Sequence, residues 1–232
     1  MRLIHIAPTK LIELVNKQYN KGLNMALTHL VLDNLQYREE MRKVGGTIYL
    51  DNSFFELGEC LSPAKMVRAA KMIGATHLIC PDGTYKGATK FKNAGYKVMT
   101  IPKTAKQFKK MMYDPNVDLV AVSEEHLDYR HSPGARYELL RDHIVEDMPR
   151  KKIHLLGATD SLWELGMLSP FDEYIQSWDS SAAIWQGYLG NLVRDQKRKD
   201  CTSVDFSVKF DINLLMVENI NFLQEITNGT NI

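Results

Sequence analysis

Eight short apolar runs recur along this chain, most of them separated by amphipathic stretches of helical period. The runs are Leu3–Ala7, Ala26–Leu32, Thr47–Asp51, His77–Cys80, Lys97–Ile101, Leu119–Val122, Lys152–Leu156 and Tyr174–Ser177. The stretches between them include Thr9–Tyr19, Asn34–Lys43, Ser62–Ile73, Thr104–Tyr113, Pro133–Val145 and Ser161–Leu168. Short apolar segments bounded by turn residues read as buried strands, and strict strand–helix alternation requires parallel strands joined by crossovers. Eight such units imply a (β/α)8 barrel of the TIM type, although an open doubly wound sheet gives much the same pattern. The second run is the least strand-like, because Met25–Leu32 also fits a helix. Local signals agree with the alternation. Ser62-Pro63 reads as an N-cap followed by proline at the first helical position, and Gly45-Gly46 and Gly74 fall where helices should stop.

A chain of 232 residues with 44% hydrophobic content can bury one core of barrel size. No linker, repeat or low-complexity segment interrupts it. The expected organisation is a single domain over 1–232, with a C-terminal helix at about 212–226 that closes or covers the barrel. The net charge of +1 makes the molecule as a whole no electrostatic trap for nucleic acid. Cys60, Cys80 and Cys201 form no CxxC or Cys/His cluster, which argues against a disulfide framework and a structural zinc site. The apolar run at the start is too short for a signal peptide, and no stretch approaches the ~18 apolar residues of a membrane span. A soluble cytoplasmic protein without metal or cofactor is expected.

In such barrels the catalytic residues come from the C-terminal ends of the strands. Those ends are Asp51-Asn52-Ser53, Pro81-Asp82-Gly83, Pro102-Lys103, Ser123-Glu124-Glu125-His126, Gly157-Ala158-Thr159 and Trp178-Asp179-Ser180-Ser181. Each carboxylate has a plainer use beside the chemical one. Asp179 and the serines after it fit the N-cap of a helix Ala182–Leu189. Asp51-Asn52-Ser53 and Asp82-Gly83 fit turn chemistry. Glu124-Glu125-His126 reads as a solvated loop more readily than as a metal site. His29, His77 and His154 lie inside apolar runs and read as satisfied core or barrel-wall residues.

One charge feature stands out. From Gly83 to Tyr113 there is no acidic residue, while Lys86, Lys90, Lys92, Lys97, Lys103, Lys106, Lys109 and Lys110 all fall in that interval. A second basic cluster, Arg194-Asp195-Gln196-Lys197-Arg198-Lys199, follows the last run. Brought onto one barrel face, these two segments would supply phosphate contacts to nucleic acid, chiefly through Lys86, Lys90, Lys103, Lys106, Arg194, Lys197 and Arg198. The plainer reading is a set of solvated helix faces.

The order of the strand-end motifs resembles the tRNA-guanine transglycosylase superfamily, and within it the DNA-acting enzymes that insert 7-deazaguanine bases. Thr47-Ile48-Tyr49-Leu50-Asp51-Asn52-Ser53-Phe54-Phe55 is similar to the strand whose aspartate transfers protons. His77–Asp82 and Leu119–Glu124 look like base-binding strands, and Lys152–Gly157 like the strand reading Tyr-Leu-Met-Gly. Asp179-Ser180-Ser181 falls where the family places its nucleophile. The likeness spans roughly residues 25–190. It departs from the family at Phe54-Phe55, where a Gly-Gly pair is usual, and it lacks the C-terminal zinc subdomain. The resemblance implies that Asp179 attacks C1′ and expels guanine, while Asp51 protonates the leaving base and deprotonates the incoming one. Asp82, Glu124, Asn52, Ser53, Gly157 and Ser180 would line the substrate site. Partners would be nucleic acid, DNA more than tRNA, and a free purine-like base. A phage origin, and hence a host-cytoplasm location, would fit this reduced form. The oligomeric state stays open.

Three other functions compete. An N-glycosidase would use the same carboxylates on nucleic acid or nucleoside but pass the sugar to water. A small-molecule barrel lyase would use Lys103 as a Schiff base and a phosphate loop after strands seven and eight. A non-catalytic nucleic-acid-binding barrel would leave Asp51 and Asp179 pointing apart or occluded.

Overall fold

The computed structural model describes residues 1–123, 134–144, 151–157, 162–195, 206 and 209–229. Eight parallel strands form one sheet: β1 (Arg2–His5), β2 (Leu23–Leu27), β3 (Thr47–Asp51), β4 (His77–Ile79), β5 (Lys97–Thr100), β6 (Leu119–Ser123), β7 (Lys152–Leu156) and β8 (Ile175–Ser180). Their order is β1-β8-β7-β6-β5-β4-β3-β2, which is a nearly closed (β/α)8 barrel. The helices are α1 (Ile12–Val15), α2 (Thr28–Asp33), α3 (Leu35–Val44), α4 (Phe54–Leu57), α5 (Pro63–Ile73), α6 (Ala88–Asn93), α7 (Ala105–Tyr113), α8 (Ala135–His143), α9 (Leu162–Met167), α10 (Ala182–Tyr188) and α11 (Leu214–Thr227). Among the described residues no helix is long and apolar enough to cross a membrane.

The remaining seam lies between β1 and β2. Across it the Asn20 side chain acts as a peptide unit would, its Oδ1 accepting from His5 N at 2.8 Å and its Nδ2 donating to His5 O at 3.0 Å. Asn20 ends a π-helical turn, Asn16–Asn20, that continues the 3-10 turn Thr9–Leu11 and α1. An unpaired sheet edge exposes a row of donors and acceptors, and this amide satisfies part of it.

Two apolar layers hold the fold. Ile4, Leu23, Met25, Tyr49, Ile79, Met99, Ile101, Leu119 and Ala121 fill the barrel. A larger layer, with Val31, Leu50, Met66, Phe91, Val98, Phe108, Val120, Leu139 and Trp178, lies between sheet and helices. The alternation of strand side chains puts one set inside and the next outside. Where α10 meets α11 a side chain has no room: a Cβ on Gly187 would stand 2.5 Å from Met216 N.

The second run behaves as its ambiguity foretold. Only Leu23–Leu27 is strand; Thr28 starts a helix and its hydroxyl bonds the carbonyl of Asp51. The expectation of a strand over Ala26–Leu32 is therefore corrected: a continuous apolar run has no period of its own, and the side-chain bond of Thr28 across to β3 decides where extension stops. A helix between β4 and β5, α6, had no signal beyond its lysines. At the other end β8 runs on to Ser180, so Asp179 lies within the strand rather than beyond it.

Candidate active site

The C-terminal ends of β3, β4, β5, β7 and β8 converge on one mouth. Asp51 closes β3, and the chain then turns sharply through Asn52 and Ser53. Ser53 takes a left-handed conformation, φ 60°, that costs a residue with a Cβ on the order of 1 kcal/mol. Three bonds hold it there. Ser53 N donates to Asp51 Oδ1 at 2.6 Å, Phe54 N to Asn52 Oδ1 at 2.9 Å, and His29 N to Ser53 Oγ at 3.2 Å. Asn52 Nδ2 ties this turn to β4 through Cys80 O at 3.0 Å and Asp82 Oδ1 at 3.3 Å. The turn launches α4, whose Glu56 carboxylate acts on both Asp51 and Asp179.

Asp51 is the most perturbed carboxyl here. Burial pushes it up to about 8; Glu56 adds to this, the Ser53 N–H opposes it, and Asp179 and Asp82 push it further. Part of the side chain still reaches the mouth. A carboxylic acid that stays neutral at pH 7 can donate a proton, a property that burial and like charge together confer.

Asp179 sits opposite in kind. Its Oδ1 lies 2.9 Å from His154 Nε2 on β7 and accepts from Gly157 N at 3.4 Å. Gly157 has φ +62°, which lets the peptide after β7 turn its N–H toward the carboxylate. The other ring nitrogen of His154, Nδ1, lies 2.9 Å from Ser177 Oγ. Ser177, His154 and Asp179 thus touch in the manner of a hydrolase triad, but Ser177 is fully buried on the inner side of His154 and meets no substrate. Beneath the same peptide lies a buried ion pair. Arg136 Nε donates to Glu164 Oε2 at 3.0 Å, and Arg136 Nη1 donates to Leu156 O at 2.7 Å.

Asp82 pairs with Lys103 Nζ at 3.0 Å. Gln107 ties the two loops, accepting from Lys103 N at 2.7 Å and donating to Gly83 O at 3.0 Å.

The structure therefore gathers Asp51, Asp82, Asp179, Gly157 and Lys103 at the C-terminal end of the barrel, as the strand ends anticipated, with Asp179 buried and close enough to Asp51 to act on its charge. Several other residues hold different positions. Asn52, Ser53 and Ser180 are buried and bond backbone, Ser180 Oγ accepting from Ala182 N at 3.0 Å. Ser180, not Asp179, therefore serves the start of α10. Of the second basic segment only Arg194 and Asp195 are among the described residues. Lys86, Lys90 and Lys106 are exposed around α6 and α7, which cover β5 and β6. Arg194 pairs with Glu218 of α11 at 2.8 Å, on the side of β1. In an eight-stranded barrel β1 and β5 lie across from each other, so Arg194 stands apart from the lysines of α6 and α7. Glu124, Lys197 and Arg198 lie outside the described residues.

Sequence reasoning gave Glu56 and Tyr49 no role, and it read His154 as a satisfied barrel-wall residue, which it is, without its link to Asp179. His154 carried a signal, a polar residue at an inward position of β7, but only the pairing of β7 with β8 reveals its partner. Among the described residues no three or more His, Cys, Asp or Glu side chains are placed to hold a metal ion.

No protein-family model matches the chain, and no curated protein matches it. Solved structures do. A mutant tryptophan synthase alpha-subunit from Pyrococcus furiosus superposes with TM-score 0.57 at 13% identity, over 98% of this chain and 97% of that one. A 4-hydroxy-2-oxoglutarate/2-dehydro-3-deoxyphosphogluconate aldolase from TTHB1 gives 0.55 at 14%, over 79% and 84%. A glycerol uptake operon antiterminator-related protein from Thermotoga maritima gives 0.51 at 14%, over 79% and 96%. At these identities the likeness establishes the barrel fold.

Proposed function

We propose that the protein is a barrel enzyme that cleaves or rearranges a small polar molecule by two-carboxylate acid–base chemistry, Asp51 donating the proton and Asp179 acting as base. The observation that carries this reading is the unequal environment of the pair. Asp51 is held neutral up to about pH 8, while Asp179 is offered two hydrogen-bond donors. A carboxyl kept neutral by burial can give a proton, and a carboxylate held by donors beside it can take one. Enzyme names among the similar barrels, an aldolase and a synthase, accord with small-molecule work.

The mouth also argues about the substrate. Asp51, Glu56, Asp82 and Asp179 stand together there, with Lys103 already paired. The Gly157 N–H, which a phosphate loop after β7 would offer, faces the Asp179 carboxylate instead. Such a lip favours a neutral or cationic molecule over a phosphate-rich one. A Schiff base on Lys103 fits less well than acid–base chemistry, because its Nζ is engaged by Asp82 at 3.0 Å and would have to leave that partner to attack a carbonyl. The test is turnover of hydroxy-, keto- and amino-substituted metabolites and nucleosides in D2O, read by mass spectrometry. Deuterium incorporation or cleavage by the wild type, absent in Asp179→Asn, is expected. Borohydride trapping of a Lys103 adduct with a turned-over substrate would overturn the acid–base route.

A second reading is the guanine/7-deazaguanine exchange implied by the family resemblance. What favours it is the same division of labour, a neutral acid facing a carboxylate nucleophile, which displacement at an anomeric carbon requires. In that case Asp179 attacks C1′, Asp51 protonates the departing guanine, and a duplex acceptor must present its base outside the stack. Labelled guanine entering DNA or tRNA, with no turnover of the small molecules, would decide for it.

A further inference from the structure

One register shift decides where β8 points. Ile153 pairs with Ile175, yet the next residue, His154, pairs with Ser177, so Gln176 is an extra residue in β8. Along an unbroken strand successive side chains alternate faces. With Ile175 outward, Ser177 and Asp179 would also face the helices and Trp178 would enter the barrel. The bulge reverses this. Ile175 and Trp178 both lie in the outer layer, Trp178 Nε1 donating to Thr227 Oγ1 of α11 at 3.1 Å. Ser177 and Asp179 instead reach His154 inside. Bulges beside active sites commonly re-aim a side chain in this way.

Tyr49 holds the bulge from the centre of the barrel. Its hydroxyl accepts from Gln176 Nε2 at 2.8 Å. Its ring stands edge-on to His154, centroids 5.4 Å apart, and to His77, 4.8 Å apart. Barrel interiors are filled mostly by branched apolar side chains, and a buried polar network stabilises only when each member is satisfied. The Gln176 amide nitrogen donates to Tyr49. With the Asp179 carboxylate as acceptor, the Ser177 hydroxyl next to Gln176 donates to His154 Nδ1. His154 is then left to donate from Nε2 to Asp179 Oδ1.

We propose that Tyr49 is a positioning residue for Asp179, acting through the Gln176 bulge and the Ser177–His154 pair. By holding the bulge it keeps Ser177 against His154 Nδ1, so that the ring stays the Nε2–H tautomer, pins Asp179 Oδ1 and leaves Oδ2 to meet substrate. This rests on the reading of Asp179 as a reacting carboxylate.

The experiment compares full-length wild type, Tyr49→Phe and Ser177→Ala by nitrogen-15 NMR of the histidine rings and by steady-state kinetics. His154 should appear as the Nε2–H tautomer in the wild type and as a mixture with Nδ1–H in either variant. On a substrate that the wild type turns over, kcat should fall roughly tenfold or more with KM little changed, as expected when a transition-state interaction is lost. If Tyr49→Phe does not fold, Ser177→Ala carries the same test. A wild-type Nδ1–H tautomer, or variants with altered tautomer but full kcat, would overturn the proposal. If no substrate is turned over while the tautomer shifts as stated, the relay stands and the proposed reaction falls.

Discussion

The β3 lip and the β8 lip of the barrel each present an aspartate to the same mouth, and they treat it differently. Asp51 receives one backbone N–H and is surrounded by Glu56, Asp179 and Asp82. Asp179 receives His154 and the Gly157 N–H, each in turn held from beneath, the imidazole by Ser177 and the peptide by Arg136. The same residue type thus meets like charge and burial on one strand and hydrogen-bond donors on another, the contrast on which the proposed acid and base roles rest. Chemistry is assigned by the neighbours, and the neighbours come from strands that adjoin only in the folded sheet.

The contrast breaks hardest at Asp179. Asp179→Asn keeps the shape but removes the basic oxygen, and turnover should fall on the order of 10⁴-fold; a variant within tenfold of wild type in a steady-state assay would remove Asp179 from the reaction. The support beneath the end of β7 is next. Arg136→Met leaves Glu164 buried without its cation and should cost about 3–5 kcal/mol in denaturant unfolding. Arg136→Met with Glu164→Leu should recover most of that stability, because a buried pair replaced by apolar side chains is often neutral. Equal destabilisation by the single and double variants would show that the pair does more than satisfy itself.

On the β3 side, Asp51→Asn should lower turnover about 10²-fold, in the range of general acid catalysis, and it also tests the protonation state. Asp51 has a folded pKa of about 8 against 3.8 when unfolded. Between those values the folded state binds more protons than the unfolded one, so stability falls as pH rises. The contribution is full below pH 4 and gone above 8. In Asp51→Asn the melting temperature should therefore vary less with pH across that window; an unchanged slope would mean that Asp51 is ionised at neutrality. Glu56→Gln is the mildest variant. Removing a carboxylate from beside Asp51 lowers the acid's pKa, so the rate at pH 8 should drop roughly two- to threefold, with the alkaline limb of the pH–rate profile moved to lower pH. A limb that stays in place would uncouple α4 from the acid.

Much of this was legible in the residues. The alternation gave Thr47–Asp51 and Lys152–Leu156 as strands with their observed bounds, and the barrel rule led from strand ends to Asp51, Asp82 and Asp179 before any coordinate. Other features were not local. The extra residue Gln176 is invisible in the sequence, because a bulge exists only relative to the partner strand β7. His154 looks like a core histidine until Asp179 is set beside it.

By itself, then, the sequence determined the strand count, the helical crossovers and the identities of the carboxylates, since apolar period and turn chemistry act between residues near one another in the chain. Which way β8 points and which aspartate keeps its proton were decided by tertiary structure alone. These depend on burial and on charges brought together from distant positions. Across the mouth Asp51 meets Asp179, 128 residues away by subtraction of their numbers, and burial together with the charges gathered there holds its proton.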